Sequence, residues 1–171
     1  MMYSAQRKSS SLKKVLPAGR QGFTLIELLV VIGILAVLLA IVLVAINPAR
    51  QFSQANNTQR RSDVNAILNA VHQYAADNGG NLPAGIGTTT RTITSSTTGD
   101  VVDLCAALVP LYIADLPLDP KEGTELPANS VCTESGATYD TQYTIVRSAS
   151  DNRITVDAPD VELNEVIIVT R

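Results

Sequence analysis

The chain has 171 residues, with 46% hydrophobic and 17% charged side chains and a formal net charge of −3. This length allows one anchor helix and one small domain of roughly 95–120 residues. Residues 1–22 contain five Lys and Arg and no acid, which leaves eight cations against sixteen acids in the rest, a formal net charge of −8. Nucleic-acid-binding surfaces need clustered Lys and Arg. The one basic pair left, Arg60-Arg61, is interpreted as a solvated helix face, and no nucleic-acid partner is expected.

A continuous apolar segment follows the basic residues. From Phe23 to Ile46 every residue is apolar except Thr24 and Glu27. As a helix rising ~1.5 Å per residue, this segment would be ~36 Å long, enough to cross a hydrocarbon core of ~30 Å. The positive-inside rule then keeps residues 1–22 in the cytoplasm and the remainder outside. An ionised Glu inside such a segment costs about 2.5 kcal/mol or more, so Glu27 needs a partner or a role.

The hexapeptide Gly22-Phe-Thr-Leu-Ile-Glu27, between a basic leader and an apolar helix, resembles the processing site of type IV prepilins and type II secretion pseudopilins. The resemblance implies that a prepilin peptidase removes residues 1–22 by cutting after Gly22, and that the new amine of Phe23 is methylated. It also implies that the subunit waits in the membrane until an inner-membrane assembly platform extracts it into a filament with other pilins. There the carboxylate of Glu27 would pair with the terminal amine of a neighbouring subunit.

Three other interpretations of residues 23–46 compete with this one. A secretory signal peptide has an apolar region of ~7–15 residues, which this segment exceeds. A plain transmembrane anchor explains the length but leaves Glu27 without a partner. A buried helix of a soluble domain would alternate in polarity, and this segment does not.

Residues 47–78 predict a second, amphipathic half of the same spine. Asn47-Pro48 interrupts the apolar segment and suits an N-cap followed by the first position of a new helix. Between Phe52 and Ala75 apolar side chains recur at helical spacing, which indicates one apolar stripe that packs against a sheet. Gly79-Gly80 is predicted to end this helix.

Residues 79–171 are predicted to form a globular head. Residues 81–99 are rich in Thr, Ser and Gly and predict a surface loop, with a hairpin around Arg91 and Ile93 as the alternative. Residues 100–112 predict a short helix capped by Asp100. Its inward side chains would be Leu104, Ala107, Leu108 and Leu111. Strand patterns at residues 138–146, 153–156 and 165–170 predict a three- or four-stranded antiparallel sheet within 138–170.

These elements together predict an α+β, pilin-like fold. A long N-terminal spine helix, with an apolar half (23–46) and an amphipathic half (47–78), would pack on a small antiparallel β-sheet head. The segment Leu116-Pro-Leu-Asp119-Pro120 is a rigid turn. Together with the preceding short helix, it resembles the head of the major, G-type pseudopilins.

Two further site predictions fall in the head. Cys105 and Cys132 are the two cysteines, and an oxidising exterior favours a disulfide between them. In the pseudopilins that the chain resembles, a calcium ion can be held in a loop of the head. Four carboxylates within eleven residues offer the oxygen ligands that calcium takes, although their spacing does not fit an EF-hand and a solvated acidic loop is the alternative. These carboxylates are Asp115, Asp119, Glu122 and Glu125.

The sequence contains no Gly-rich phosphate loop, no H-E-x-x-H and no G-x-S-x-G, and its one histidine, His72, is interpreted as a packing or surface residue. No enzymatic activity is expected, and no cofactor other than calcium. The expected function is that of a structural subunit of a type IV pilus-like or type II secretion pseudopilus filament at the cell surface or in the periplasm. The alternative is a single-pass, membrane-anchored extracellular binding module that does not polymerise.

Overall fold

The computed structural model describes residues 22–126, residue 132 and residues 138–171. Of the predicted leader, only Gly22 falls within this part of the chain. The chain divides between Ala45 and Ile46 into two compact units.

The N-terminal unit is built on one helix, α1, at Leu25–Ile46. Apart from Glu27 and Gly33, all of its 22 residues are Leu, Ile, Val or Ala, and none of them is buried. Among the described residues, α1 is the one helix long and apolar enough to cross a membrane. In hydrocarbon a lone segment satisfies its backbone hydrogen bonds only as a helix, which outweighs the weak helix propensity of Val and Ile. The predicted apolar N-terminal helix is confirmed.

A second helix, α2, spans Pro48–Asp77. Asn47 adopts a left-handed backbone conformation (φ 48°), and its side chain accepts a hydrogen bond from the backbone N–H of Arg50. Pro48 lies in the first turn of α2, where its missing N–H costs no intrahelical bond. The chain therefore restarts its helix at the Asn47-Pro48 step, as the sequence predicts.

In the described part of the C-terminal unit, six strands form a single mixed sheet. They are β1 Arg91–Thr94, β2 Val101–Val102, β3 Thr124–Leu126, β4 Thr138–Arg147, β5 Ile154–Asp157 and β6 Ile168–Thr170. The order is β2-β1-β4-β5-β6, and β3 also pairs with β4. The β1–β2 pair is parallel, and all other pairs are antiparallel.

The apolar stripe of α2 covers one face of this sheet. Its buried members are Val64, Ile67, Leu68, Ala70 and Val71. They join the sheet residues Ile93, Tyr143, Ile145, Ile154 and Val156 in one core cluster. The spacing of three and four residues along α2 aligns its apolar side chains on one side of the helix. The predicted fold, an amphipathic helix packed on a sheet in an α+β, pilin-like layout, is confirmed.

The Thr-rich segment differs from the predicted surface loop. Within it, β1 lies inside the sheet, flanked by β2 and β4, and Ile93 is fully buried. The hydroxyl of Thr94 donates to the carbonyl of Tyr139 at 2.6 Å, and that of Thr141 donates to the carbonyl of Ile93 at 2.7 Å. Threonine suits a strand because its branched side chain packs on a pleated surface. The preference for a loop over strand structure was wrong at residues 91–94.

The predicted helix at residues 100–112 is also corrected, since only α3 at Cys105–Leu108 is helical. The N-cap of α3 is Leu104 and not Asp100, whose carbonyl accepts the N–H of Thr92 next to the parallel β1–β2 pairing. Asp103 instead accepts the backbone N–H of Cys105 at 2.9 Å. Leu104 and Leu108 face the core as expected, but Leu111 is 78% exposed. Within the described ranges the sheet has six strands rather than three or four, because residues 91–126 contribute three more.

Candidate functional site

The peptide bond after Gly22 is open to solvent. Gly22 and Phe23 precede α1 and are not helical. Apart from its chain neighbours, no atom of the described residues lies within 4 Å of the position that a Cβ on Gly22 would take, and Phe23 is 83% exposed. The bond therefore lies in non-helical backbone before α1, next to an exposed side chain.

Thr24 and Glu27 form a capping box at the start of α1. The backbone N–H and the hydroxyl of Thr24 both donate to Oε2 of Glu27, at 2.8 and 2.7 Å, and the N–H of Glu27 donates back to Oγ1 of Thr24 at 3.3 Å. The carboxylate thus satisfies an orphan donor of the helix terminus and lies at the positive end of the helix dipole. Sequence reasoning missed this role of Thr24, although Thr-x-x-Glu before an apolar segment is its signature.

The surroundings of Glu27 are apolar and exposed. Phe23, Leu25, Ile26 and Leu28 each expose more than half of their surface. The carboxylate therefore has hydrogen-bond donors from Thr24 but no opposite charge among the described residues. In a membrane or between packed helices, a carboxylate without an opposite charge is energetically costly, so Glu27 would need a cation beside it there.

A second polar cluster holds the head on α2. Arg60 is fully buried, and it donates from Nε to Oδ2 of Asp119 at 2.6 Å and from Nη2 to Oδ1 at 3.0 Å. Its Nη1 donates to Asn57 at 3.0 Å and to Glu162 at 3.4 Å. The interpretation of Arg60-Arg61 as a solvated face was therefore wrong for Arg60. It holds for Arg61, whose half-exposed side chain pairs with Glu165.

Burial and hydrogen bonding shift the pKa values of the two acids in this cluster. Burial opposes the charged form of Asp119, but the hydrogen bonds from Arg60 and from the backbone N–H groups of Glu122 and Lys121 outweigh it and lower its pKa. Burial raises the pKa of the nearby Asp63, although Tyr143 and Gln59 donate to its carboxylate. These contacts can stabilise the fold. Both carboxylate oxygens of Asp119 already accept hydrogen bonds from Arg60, so the carboxylate is not available to a metal.

The four carboxylates predicted as calcium ligands are not brought together. In the ranges that the structure describes, no group of three or more His, Cys, Asp or Glu could hold a metal ion. Asp119 turns inward to Arg60, Asp115 accepts the N–H of Leu116, and Glu122 lies near Nζ of Lys121. The predicted ligand set fails because the Asp119-Pro120 turn directs its acid into the core rather than into a loop.

Cys105 and Cys132 are joined in a disulfide across 27 residues. Both side chains pack against the core. The bridge ties α3 to the segment between β3 and β4, part of which lies outside the described residues.

The bond after Gly22 thus precedes an exposed apolar helix that has an acid in its first turn. The family described as the prokaryotic N-terminal methylation motif matches residues 17–43. The chain therefore carries the signature of type IV prepilins and pseudopilins. Among curated proteins and solved structures, none matches the chain.

Proposed function

We propose that this protein is a structural subunit of a type IV pilus-like or type II secretion pseudopilus filament. The observation that carries the proposal is the methylation motif at residues 17–43, centred on an apolar helix with no buried residue. A prepilin peptidase cuts after Gly22, and the mature chain, starting at methylated Phe23, is held in the cytoplasmic membrane with its head outside. An assembly platform then extracts the subunit into the filament, where it contacts other pilins.

In this proposal Glu27 supplies the register of assembly. Cleavage creates a cationic amine on Phe23, and a neighbouring subunit's Glu27 is its partner. A charge pair gains most in a low-dielectric helix bundle, where an unpaired carboxylate is costly. The capping box supports this role because Thr24 fixes the carboxylate at the helix terminus before the partner arrives.

The lateral faces of α1 suit close packing of helices. Beyond its chain neighbours and the backbone of its own helix, no described atom lies within 4 Å of a Cβ built on Gly33, and Ala36 and Ala40 lie three and seven residues further along the helix. Small residues let helix backbones approach, which favours association in a membrane or in a filament core. The open surface around Gly33 therefore suits contact with a second α1.

The proposal is tested first at the mature terminus and then at Glu27. Mass spectrometry of the chain from its native host is expected to find methylated Phe23 as the first residue. Glu27→Gln keeps an oxygen that can accept from Thr24 but removes the charge. We expect this variant to insert into the membrane at wild-type levels and to yield at least tenfold less sheared filament, roughly the loss of one buried charge pair.

Glu27→Asp serves as the matched control because it keeps the charge with a shorter side chain, and it is expected to retain more filament than Glu27→Gln. An intact leader would contradict the proposal. Wild-type filament yield from Glu27→Gln would contradict the charge pairing. A non-polymerising anchored module would insert equally well in both variants and would yield no filament from any chain.

A further inference from the structure

The head contains a polar cavity that none of the roles described above uses. Its volume is 640 Å³, within the range of about 300–1,000 Å³ that is common for small-molecule sites. It lies beside the last turns of α2, under the loop of residues 80–86 and next to the turn between β4 and β5. His72 of α2, Arg147 of β4, and Asn152 and Ile154 contribute to its wall.

Two arginines face α2 at this end of the sheet. Arg91 of β1 is paired directly with Ile145 of β4, so their side chains lie on one face, and Arg147 follows two residues later on the same face. Tyr143 shares that face, and its hydroxyl reaches Asp63 of α2. Arg91 and Arg147 are therefore diagonal neighbours on the helix-facing side of the sheet.

The loop over the cavity lies close to both arginines. Gly85 has a φ of +94°, and a Cβ there would meet Cγ2 of Val102 at 2.8 Å and Nη1 of Arg91 at 3.8 Å. The carbonyl of Gly87 accepts the N–H of Arg147 at 2.8 Å. Only a glycine fits this conformation without strain, so the loop can approach Arg91 as closely as it does.

Three side-chain nitrogens, two from residues that line the cavity and one from Arg91 beside its loop, lack a hydrogen-bond partner. Nε of Arg91, Nε of Arg147 and Nε2 of His72 are buried and without a partner in the part of the chain that the structure describes. Buried donors without acceptors are costly, and guanidinium groups are normally paired when they leave water. Among the described residues, neither Arg91 nor Arg147 forms an ion pair, since the ion pairs there involve Arg60, Arg61 and Lys121.

We propose that this cavity binds a small anionic ligand through a carboxylate or phosphate group. The guanidinium of Arg147, which lines the cavity, supplies the planar set of donors that suits an oxyanion. Arg91 adds a second positive charge behind the loop, and His72 adds a polar contact from α2. The site concerns the head alone and does not depend on the filament role of α1.

The test uses the full chain in detergent micelles, titrated with inorganic phosphate and, separately, with citrate, while chloride keeps the ionic strength constant. We expect a saturable rise in the melting temperature and a shift of the Nε–Hε NMR signals of Arg91 and Arg147. A response to phosphate alone assigns a phosphate ligand, and a response to citrate alone assigns a carboxylate. A response to both assigns the shared oxyanion chemistry.

Arg147→Gln is expected to weaken the apparent Kd at least about tenfold. Arg50→Gln is the matched control, because Arg50 is exposed at the other end of α2, about 33 Å from His72 along the helix, and its variant should bind as the wild type does. Equal binding by Arg147→Gln and the wild type would overturn the proposal. If Arg147→Gln does not fold, the Nε–Hε signals of the wild type provide the test. The proposal is then overturned if neither anion shifts these signals at concentrations up to about 50 mM.

Discussion

Arg60 of α2 and Asp119, 59 residues later, form a forked ion pair in which neither side chain is more than 1% exposed. Asn57 lies one helical turn before Arg60 and holds the next loop, because it donates to the carbonyl of Glu162 at 2.7 Å and accepts the N–H of Glu162 at 3.0 Å. Two loops of the head are thus attached to one face of α2 by polar contacts. This cluster fixes the head on its helix in addition to the apolar core.

Arg60→Met should be strongly destabilising, because it leaves the carboxylate of Asp119 buried without its cation. We expect a loss of about 3–5 kcal/mol in the free energy of unfolding. Arg61→Met is the matched control: its half-exposed side chain pairs with Glu165 on the surface, and the loss should stay below about 1 kcal/mol. Guanidinium chloride unfolding followed by near-UV circular dichroism of the five tyrosines measures both. Equal losses in the two variants would show that the buried pair does not stabilise the fold.

The pH dependence of stability should carry the signature of Asp119. Its folded pKa lies below the ordinary value of 3.8, so its contribution to stability is present above that value and is lost as the pH falls through the folded pKa. Asp63 has a raised pKa and acts in the opposite direction, favouring the folded state below 3.8 and losing that contribution as the pH rises.

We therefore expect the stability difference between the wild type and Asp119→Asn to be largest near neutral pH and to shrink below about pH 4. Unfolding free energies measured at intervals between about pH 2 and pH 7 test this. Asp115→Asn is the control, since among the described residues its half-buried carboxylate accepts a hydrogen bond only from the adjacent N–H of Leu116. A constant difference for Asp119→Asn across the whole range would contradict the lowered pKa.

The helical elements were predictable because their signals are local. An unbroken apolar segment, the Asn47-Pro48 step and the recurrence of apolar residues at helical spacing each act within a few residues. The same periodicity could have placed Arg60 correctly, since it lies four residues before the buried Val64 on the same side of α2. A charge at a stripe position indicates a buried partner, but the sequence alone does not say that the partner is Asp119.

The strands and the acidic turn were less predictable because they depend on distant pairing. Residues 91–94 are internal only because β4 pairs with them some fifty residues later, and Val101–Val102 is a strand only because β1 lies beside it. Residues 101–102, which were predicted to lie in the first turn of a helix, form strand β2 instead. In the same way, the four acids at 115–125 suggested a metal site by composition, whereas the fold directs Asp119 to Arg60.

Removal of the Cys105–Cys132 disulfide should lower the free energy of unfolding, chiefly because the unfolded chain gains conformational entropy. For a loop of 27 residues, the chain-entropy estimate is about 3.5 kcal/mol. The double variant Cys105→Ala, Cys132→Ala tests this by denaturant unfolding under oxidising conditions. The wild type with reductant should match the double variant, and reductant should not affect the double variant. A loss below about 1 kcal/mol would show that the bridge adds little to the head.

The capping box at the start of α1 predicts a role for Thr24 that is separable from the charge of Glu27. Thr24→Val keeps the shape of the side chain but removes the hydroxyl that accepts the N–H of Glu27 and donates to its carboxylate. N-cap losses of this kind cost about 1 kcal/mol, so amide hydrogen exchange at Glu27 should become roughly fivefold faster in detergent micelles. Thr24→Ser, which retains the hydroxyl, should exchange as the wild type does. If Thr24→Val exchanged at the wild-type rate, Thr24 would not hold the carboxylate, and the proposed presentation of Glu27 to a neighbouring amine would lose its structural basis.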